Sequence, residues 1–179
     1  MLIKTIFAGF GGQGVLSMGL SLAQAAMREG KNVTYLPSYG AEVRGGTANC
    51  TVAISDEEIA SPVASSPEFV VAMNQPSMAR FQHQLQSGGV FFLNSSLIDA
   101  EVMRGDIEVV RLPANTIAEQ MGNPRSANMV MLGAVIKKSN LVKLDTIFEV
   151  LREAFGKKGK LVVINNEALL AGYKLPQSS

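Results

Sequence analysis

A glycine-rich hexapeptide, residues 9–14 (GFGGQG), constrains the fold of this chain more than any other stretch. Residues 2–8 (LIKTIFA) precede it and are apolar and partly β-branched, which is typical of a buried strand. Apolar residues recur after it at helical spacing. A strand, a glycine turn and a helix form the start of a nucleotide-binding βαβ unit, and Gly9, Gly11 and Gly14 fit the pattern G-x-G-x-x-G.

Two interpretations of these glycines stay open. Glycine permits positive φ and lets backbone N–H groups and a helix N-terminus approach an anion closely. The same glycines could also serve only to let a strand meet a tightly packed helix. An ordinary NAD or NADP site is disfavoured, because the second predicted strand, residues 32–36, continues into residues 37–39 without the acidic residue or arginine that such a site uses.

Composition limits the classes of function. A length of 179 residues suits one domain, and we expect an α/β domain over residues 1–175 with a loose tail at 176–179. A formal net charge of +1 gives no general affinity for nucleic acid. The sequence contains no apolar run of the roughly 20 residues that a membrane span needs. No signal peptide precedes the first predicted strand, so a cytoplasmic location is expected.

The sequence contains one cysteine and one histidine. A single cysteine, Cys50, excludes an internal disulfide and any site made of cysteines alone. It lies in the strand-like stretch 47–54, where a small buried residue is expected. His83 has no second histidine or nearby cysteine as a metal partner, and it is predicted to lie on the surface.

A second informative stretch is residues 37–46 (PSYGAEVRGG), which places Tyr39, Glu42 and Arg44 among glycines between two strand-like runs. Glu42 and Arg44 could pair with each other or cap helices on an exposed loop. Alternatively, the loop could contact a ligand or a partner beside the glycine turn. Loops that follow parallel strands share the carboxyl edge of the sheet, where open α/β sheets bind ligands, and this favours the second interpretation.

The remaining pattern alternates strands with helices. It predicts a single doubly wound, mostly parallel sheet with helices on both faces, a Rossmann-like α/β fold. Residues 94–96 (NSS) follow a predicted strand at the same carboxyl edge, where they could bind a ligand or cap the next turn. Residues 161–170 are ambiguous, because their Val-Val-Ile run favours a strand and their alanines and leucines favour a helix.

Residues 9–15 (GFGGQGV) and 38–46 (SYGAEVRGG) closely resemble the gamma subunit of 2-oxoacid:ferredoxin (acceptor) oxidoreductases. Residues 74–77 (NQPS), 94–97 (NSSL) and 128–133 (NMVMLG) look like further signatures of that family. The likeness covers nearly the whole chain. It is greatest to the type that acts on 2-oxoglutarate, with the branched-chain 2-oxoacid type second.

The resemblance implies a subunit that is inactive alone, in an assembly that oxidatively decarboxylates a 2-oxoacid to an acyl-CoA. It implies alpha, beta and ferredoxin-like delta subunits as partners, which hold thiamine diphosphate, Mg²⁺ and iron–sulfur clusters and pass electrons to ferredoxin or another acceptor. The gamma subunit is associated with the coenzyme A side of the active centre, and the resemblance implies neither a catalytic residue nor a metal ligand in it. The residues carried over as candidates for contact with coenzyme A are Gly9, Gly11, Gly12, Gln13, Gly14, Tyr39, Glu42, Arg44, Gly45 and Gly46. Backbone N–H groups at a helix N-terminus suit a pyrophosphate, and Arg44 could pair with a phosphate.

Two other classes of function remain to be distinguished. An independent nucleotide-binding reductase would bind NAD(P)H tightly on its own, and a purely structural spacer would contact no ligand. A content of 47% apolar and 17% charged residues also predicts that the chain buries a broad face against alpha and beta, and that it self-associates when produced alone.

Overall fold

The computed structural model describes residues 1–40 and 46–176. The strands are β1 (Leu2–Phe10), β2 (Asn32–Tyr39), β3 (Thr47–Ser55), β4 (Phe69–Ala72), β5 (Val90–Asn94) and β6 (Glu108–Leu112). The helices are α1 (Val15–Arg28), α2 (Gln75–Phe81), α3 (Ala114–Gln120), α4 (Ala127–Ser139), α5 (Leu144–Phe155) and α6 (Gly159–Lys174), and a short 3-10 turn (Pro124–Ser126) precedes α4.

The strands form one mixed sheet with the order β2-β3-β1-β4-β5-β6. The pairs β1–β4, β4–β5 and β5–β6 are parallel, whereas β3 is antiparallel to both β1 and β2. The predicted α/β fold is therefore confirmed, with an antiparallel strand inserted between β1 and β2. Because β3 opposes both of its neighbours, β1 and β2 run in the same direction and end at the same edge of the sheet.

The two faces of the sheet are covered differently. The larger core contains Phe7 and Phe92 from the strands and buried residues of α1, α3, α4 and α5, with α6 contributing Ala168 and Leu169. The second core, on the opposite face, contains alternate strand residues such as Phe91. Of the described helices, only α2 contributes side chains to it. Connecting segments contribute Ala64 and Ile98 to that second core.

Helix α4 is the most deeply buried helix, since every residue from Ala127 to Ile136 is buried. Gly133 and Gly172 bring α6 against it: a Cβ on either glycine would overlap backbone atoms of the opposite helix, at Leu169 and Val130 respectively. This close packing explains why the ambiguous stretch 161–170 is helical, because tertiary contact outweighs the strand preference of its β-branched residues.

The assignment of residues 1–175 to one domain stays a prediction, and of the expected tail only residue 176 is described. Among the described residues, no helix is both long enough and apolar enough to cross a bilayer.

Candidate functional site

The glycine turn lies at the carboxyl edge of β1, beside a groove of about 610 Å³. The described residues that line this groove are Phe10, Gly11, Gly12, Gly14, Val15, Leu16, Ser17, Tyr39 and Ala48. Tyr39 reaches it from the end of β2, and its side chain is 67% exposed. The structure therefore brings the glycine turn and Tyr39 together, as expected for two strands that end at the same edge.

Two glycines of the turn have backbone angles that favour glycine. Gly12 has φ +97° and Gly14 has φ +73°, both in the left-handed region. A Cβ on Gly12 would meet no described atom within 4 Å. A Cβ on Gly14 would collide with the side-chain amide of Asn128. Gly12 thus faces open space, whereas Gly14 is in close contact with the start of α4.

The N-terminus of α1 is open to the groove. Gly14 is its N-cap residue, and no side chain in the described part of the chain caps it. The first amides of a helix lack intrahelical acceptors and carry the positive end of the helix dipole, so they suit an anion. The amide of Gly11 does not join them, because it donates to the carbonyl oxygen of Gly46 at 2.8 Å. Gly11 and Gly46 therefore contact each other and hold the turn beside the start of β3.

Gln13 points away from the groove. Its Oε1 accepts hydrogen bonds from the Phe10 amide at 2.7 Å and from Asn74 Nδ2 at 2.9 Å. Its Nε2 donates to the Met73 carbonyl oxygen at 3.3 Å. A Cβ on Gly9 would lie 2.6 Å from Gln13 Oε1, so Gly9 makes room for this side chain. Of the predicted site residues, Gly9 and Gln13 thus lie behind the turn and not in the groove.

The loop that follows β2 is described only at its two ends. Gly40 donates to the Thr47 carbonyl oxygen at 3.1 Å, while the predicted site residues Glu42, Arg44 and Gly45 lie outside the described residues. The described side chains that line the groove carry no charge. Among the described residues, the groove therefore offers an anion only backbone amides and no charged side chain.

The polar residues after the parallel strands hydrogen-bond within the protein. Asn74 Oδ1 accepts from the Ser77 amide at 2.9 Å and so caps α2. Asn94 Nδ2 donates to Asn115 Oδ1 at 2.7 Å and to the Met73 carbonyl oxygen at 3.2 Å. Asn94 Oδ1 accepts from the Ala114 amide at 3.2 Å. Of the two interpretations of residues 94–96, the structural one therefore applies to Asn94.

Cys50 is fully buried, as expected, and its Sγ lies 3.5 Å from the Val15 carbonyl oxygen. Burial raises the pKa of its thiol to about 12, so the reactive thiolate is scarce at neutral pH. Tyr35, on the neighbouring strand, donates its hydroxyl to the Leu16 carbonyl oxygen at 3.2 Å, and burial raises its pKa to about 12. Both groups are neutral packing partners of α1.

Sequence reasoning assigned no site role to Asn128 or Asn74. Asn128 contacts Gly14, and Asn74 contacts Gln13. Both lie at or near the start of a helix, in stretches that resemble the gamma subunits. That resemblance is the sequence feature that could have identified them. The direction in which either amide points depends on tertiary packing.

An α/β sheet with a glycine turn and an open helix N-terminus at its carboxyl edge has the architecture of a nucleotide-binding domain. The chain belongs to the pyruvate ferredoxin/flavodoxin oxidoreductase family, whose model matches residues 4–175. The resemblance to the gamma subunits of these enzymes that the motifs indicated is thereby confirmed.

Three similar proteins illustrate the relationship. Ketoisovalerate oxidoreductase subunit VorA of Methanothermobacter thermautotrophicus is 42% identical over 172 residues, which are 95% of this chain and 35% of VorA. The keto/oxoacid ferredoxin oxidoreductase gamma subunit of Geobacter sulfurreducens matches with a TM-score of 0.79 and 28% identity, over 96% of both chains. A structure of 2-oxoglutarate:ferredoxin oxidoreductase from Magnetococcus marinus, with 2-oxoglutarate, coenzyme A and succinyl-CoA bound, matches with a TM-score of 0.90 and 27% identity over 99% of this chain. This chain spans about a third of VorA and 32% of the Magnetococcus chain.

Proposed function

We propose that this chain is the gamma subunit of a CoA-dependent 2-oxoacid:ferredoxin (acceptor) oxidoreductase, and that it is inactive without its partner subunits. The observation that carries the proposal is the groove of about 610 Å³ into which the uncapped N-terminus of α1 opens. The similarity over 99% of this chain to a protein whose structure contains coenzyme A and succinyl-CoA supports the same role.

The chemistry of the groove fits coenzyme A in two parts. The first-turn amides of α1 suit a phosphate oxygen, because they are donors at the positive end of the helix dipole. Phe10, Leu16 and Tyr39 provide an apolar and aromatic wall that suits the pantetheine arm or the adenine ring. In this proposal Gly12 leaves room for the ligand, and Gly14 places the N-terminus of α1 at the groove. Arg44 supplies a cation, and Glu42, Gly45 and Gly46 complete the loop.

The redox chemistry is assigned to other chains. The sequence contains one cysteine, and Cys50 is buried among α1 and the sheet, so this chain does not fit a four-cysteine cluster. The proposal therefore places thiamine diphosphate, Mg²⁺ and the iron–sulfur clusters on alpha, beta and ferredoxin-like delta subunits. The residues of this chain bind and orient coenzyme A at the edge of an active centre that those subunits complete.

A surface feature supports assembly with other subunits. Residues 15–27 of α1 contain no charged side chain. Its outward positions include Leu20, which is 43% exposed, and Met27, which is 62% exposed. The solvent side of a surface helix normally carries charged residues, so an uncharged outer stripe suits burial against protein. Self-association of the isolated chain would use the same stripe.

Two substrates are candidates. The motif resemblance and the similarity to the Magnetococcus enzyme favour 2-oxoglutarate. The 42% identity to VorA favours a branched-chain 2-oxoacid such as ketoisovalerate. Because the 2-oxoacid reacts on partner subunits in this proposal, the groove itself does not distinguish the two.

The decisive experiment is purification of the tagged chain from its native cell, identification of the chains that accompany it, and assay of acyl-CoA formation with ferredoxin. We expect CoA-dependent oxidation of 2-oxoglutarate or ketoisovalerate by the complex and none by the isolated chain. Tight NAD(P)H binding and hydride transfer by the isolated chain would contradict the proposal. An unchanged KM for coenzyme A in the Arg44→Ala complex would favour a structural spacer instead.

A further inference from the structure

The side chain of Gln13 closes the glycine turn and links it to the end of β4 and the start of α2. Its Oε1 accepts from the Phe10 amide at 2.7 Å, while the Gln13 amide donates to the Phe10 carbonyl oxygen at 3.1 Å. The turn is therefore closed by two hydrogen bonds between the same two residues. Gln13 is absent from the described lining of the groove, so its side chain serves the shape of the turn.

The same side chain joins the turn to β4. Asn74 Nδ2 donates to Gln13 Oε1 at 2.9 Å, and Gln13 Nε2 donates to the Met73 carbonyl oxygen at 3.3 Å. Asn74 is itself fixed, since it is 3% exposed and its Oδ1 caps α2. Gln13 thus contacts a rigid neighbour, and a side chain held in this way can orient a flexible glycine turn.

We propose that Gln13 is a positioning residue for the binding of coenzyme A. Anchored by Asn74, its side chain holds the Gly11–Gly12 backbone and the N-terminus of α1 in their binding geometry and does not contact the ligand. The inference rests on the proposed role of the groove in binding coenzyme A. It predicts that Asn74, which lies outside the described lining of the groove, affects CoA affinity only through Gln13. Gly9 belongs to the same arrangement, because the Gln13 amide lies where a Cβ at residue 9 would be.

The test is a double-mutant cycle in the assembled enzyme with Gln13→Met and Asn74→Ser. Methionine keeps the length of the side chain and removes both the amide oxygen and the amide nitrogen. Serine keeps the N-cap of α2 and removes the donor to Gln13. We expect Asn74→Ser, which loses one hydrogen bond to Gln13, to raise the KM for coenzyme A about fivefold with kcat unchanged. Gln13→Met loses three side-chain hydrogen bonds and should raise the KM at least as much. The double variant should be no worse than the poorer single variant.

A matched control and a second readout keep the outcomes distinct. Asn32→Ser removes a side-chain bond to the Asp56 carbonyl oxygen elsewhere on the sheet, and it should leave the KM unchanged. Amide hydrogen exchange at Phe10 should be faster in Gln13→Met than in wild type, with or without coenzyme A. The proposal is overturned if Asn74→Ser leaves the KM unchanged, if the two effects multiply, or if Asn32→Ser matches them. If Gly12→Ala leaves the KM for coenzyme A unchanged, the proposed role of the groove in binding coenzyme A fails. In that case, amide hydrogen exchange at Phe10 still tests whether the Gln13 side chain holds the turn. An unchanged exchange rate in Gln13→Met overturns that role.

Discussion

The side-chain amide of Asn128 lies directly against the backbone of Gly14, and its Nδ2 donates to the Gly14 carbonyl oxygen at 3.3 Å. Met18 donates its amide to the same carbonyl at 3.0 Å as part of the first turn of α1. Asn128 Oδ1 accepts from the Met129 amide at 3.0 Å, which fixes the asparagine on α4. This contact holds the N-termini of α1 and α4 together at the edge where the groove opens.

The contact between Asn128 and Gly14 predicts a non-additive pair of substitutions. Gly14→Ala should lower the free energy of unfolding by about 3 kcal/mol, because it combines a positive φ with a collision against the Asn128 amide. In an Asn128→Ala background the collision with the amide is absent and only the Cβ of residue 128 remains, at 3.2 Å, so the same change should cost about 1 to 2 kcal/mol. Urea unfolding of the four proteins measures the coupling. Equal costs in the two backgrounds would show that the two residues do not constrain each other.

A comparison of substitutions at Gly12 and Gly30 distinguishes the effect of backbone strain on stability from an effect on ligand binding. Gly12→Ala and Gly30→Ala both place alanine at positive φ with no described atom within 4 Å, so each should cost about 1 kcal/mol of stability. Only Gly12→Ala adds a methyl group beside the groove, so only it should raise the KM for coenzyme A in the assembled enzyme. Steady-state kinetics and thermal melting of both variants make the comparison. The same KM for both variants would indicate that the groove does not bind coenzyme A.

The contact between α4 and α6 predicts a large difference between two glycines of α6. Gly172→Ala should destabilise the chain by about 3 kcal/mol or more, because its Cβ would overlap the Val130 carbonyl. Gly159→Ala, at the start of the same helix, meets no described atom within 4 Å and should stabilise the chain by up to about 1 kcal/mol. Chemical denaturation of both variants provides the test. A similar stability for both would mean that the two helices separate more easily than their packing indicates.

The uncharged stripe of α1 predicts a specific assembly defect. Leu20→Glu should leave the isolated chain folded, because Leu20 is 43% exposed and glutamate favours helix, but should prevent binding to the partner subunits. Val163→Glu places the same charge on α6 at a residue that is 56% exposed, and it should assemble normally. Co-purification with the partner chains distinguishes them. Normal assembly of Leu20→Glu would exclude this stripe as the interface.

The buried thiol of Cys50 predicts protection from alkylation. With a pKa of about 12, the thiol of the folded chain should not react with an alkylating reagent at pH 8, whereas the denatured chain should react completely. Burial disfavours the thiolate in the folded state only. The contribution of Cys50 to stability is therefore full below about pH 9, the pKa of the thiol in the unfolded chain, and is lost as the pH rises toward 12. Mass spectrometry of the labelled chain checks the predicted protection of Cys50 from alkylation. Rapid labelling of the native chain would show that α1 separates from the sheet.

Local sequence patterns predicted the elements better than their arrangement. The apolar run before residue 9 and the glycines after it identified β1, the turn and α1, because strand and turn preferences are local. The position of β3 between β1 and β2 depends on long-range pairing, which no window of sequence contains. The stretch 161–170 was ambiguous for a similar reason: its helical state depends on how closely Gly133 and Gly172 let two helices approach.

The sequence predicted that the glycine turn and Tyr39 lie together, but it did not predict the different contacts of the residues in the turn. That they form a binding site stays a prediction. The shared edge of β1 and β2 correctly placed Tyr39 beside the glycine turn. Gly9 and Gly11 have equivalent places in the glycine pattern of the sequence, whereas in the structure Gly9 makes room for Gln13 and the Gly11 amide donates to Gly46. Such differences depend on side-chain directions that only the packed molecule fixes.

The hydrogen bonds behind the glycine turn have a consequence for how the protein responds to acidity. Gln13, Asn74, Asn94 and Asn115 all have carboxamide side chains, and within the described part of the chain these groups hydrogen-bond to one another or to the backbone. A carboxamide neither gains nor loses a proton in the range where proteins stay folded. These hydrogen bonds behind the turn should therefore be the same in a mildly acidic and in a mildly alkaline solution. Any ionisation that governs turnover in the assembled enzyme must come from groups outside this network.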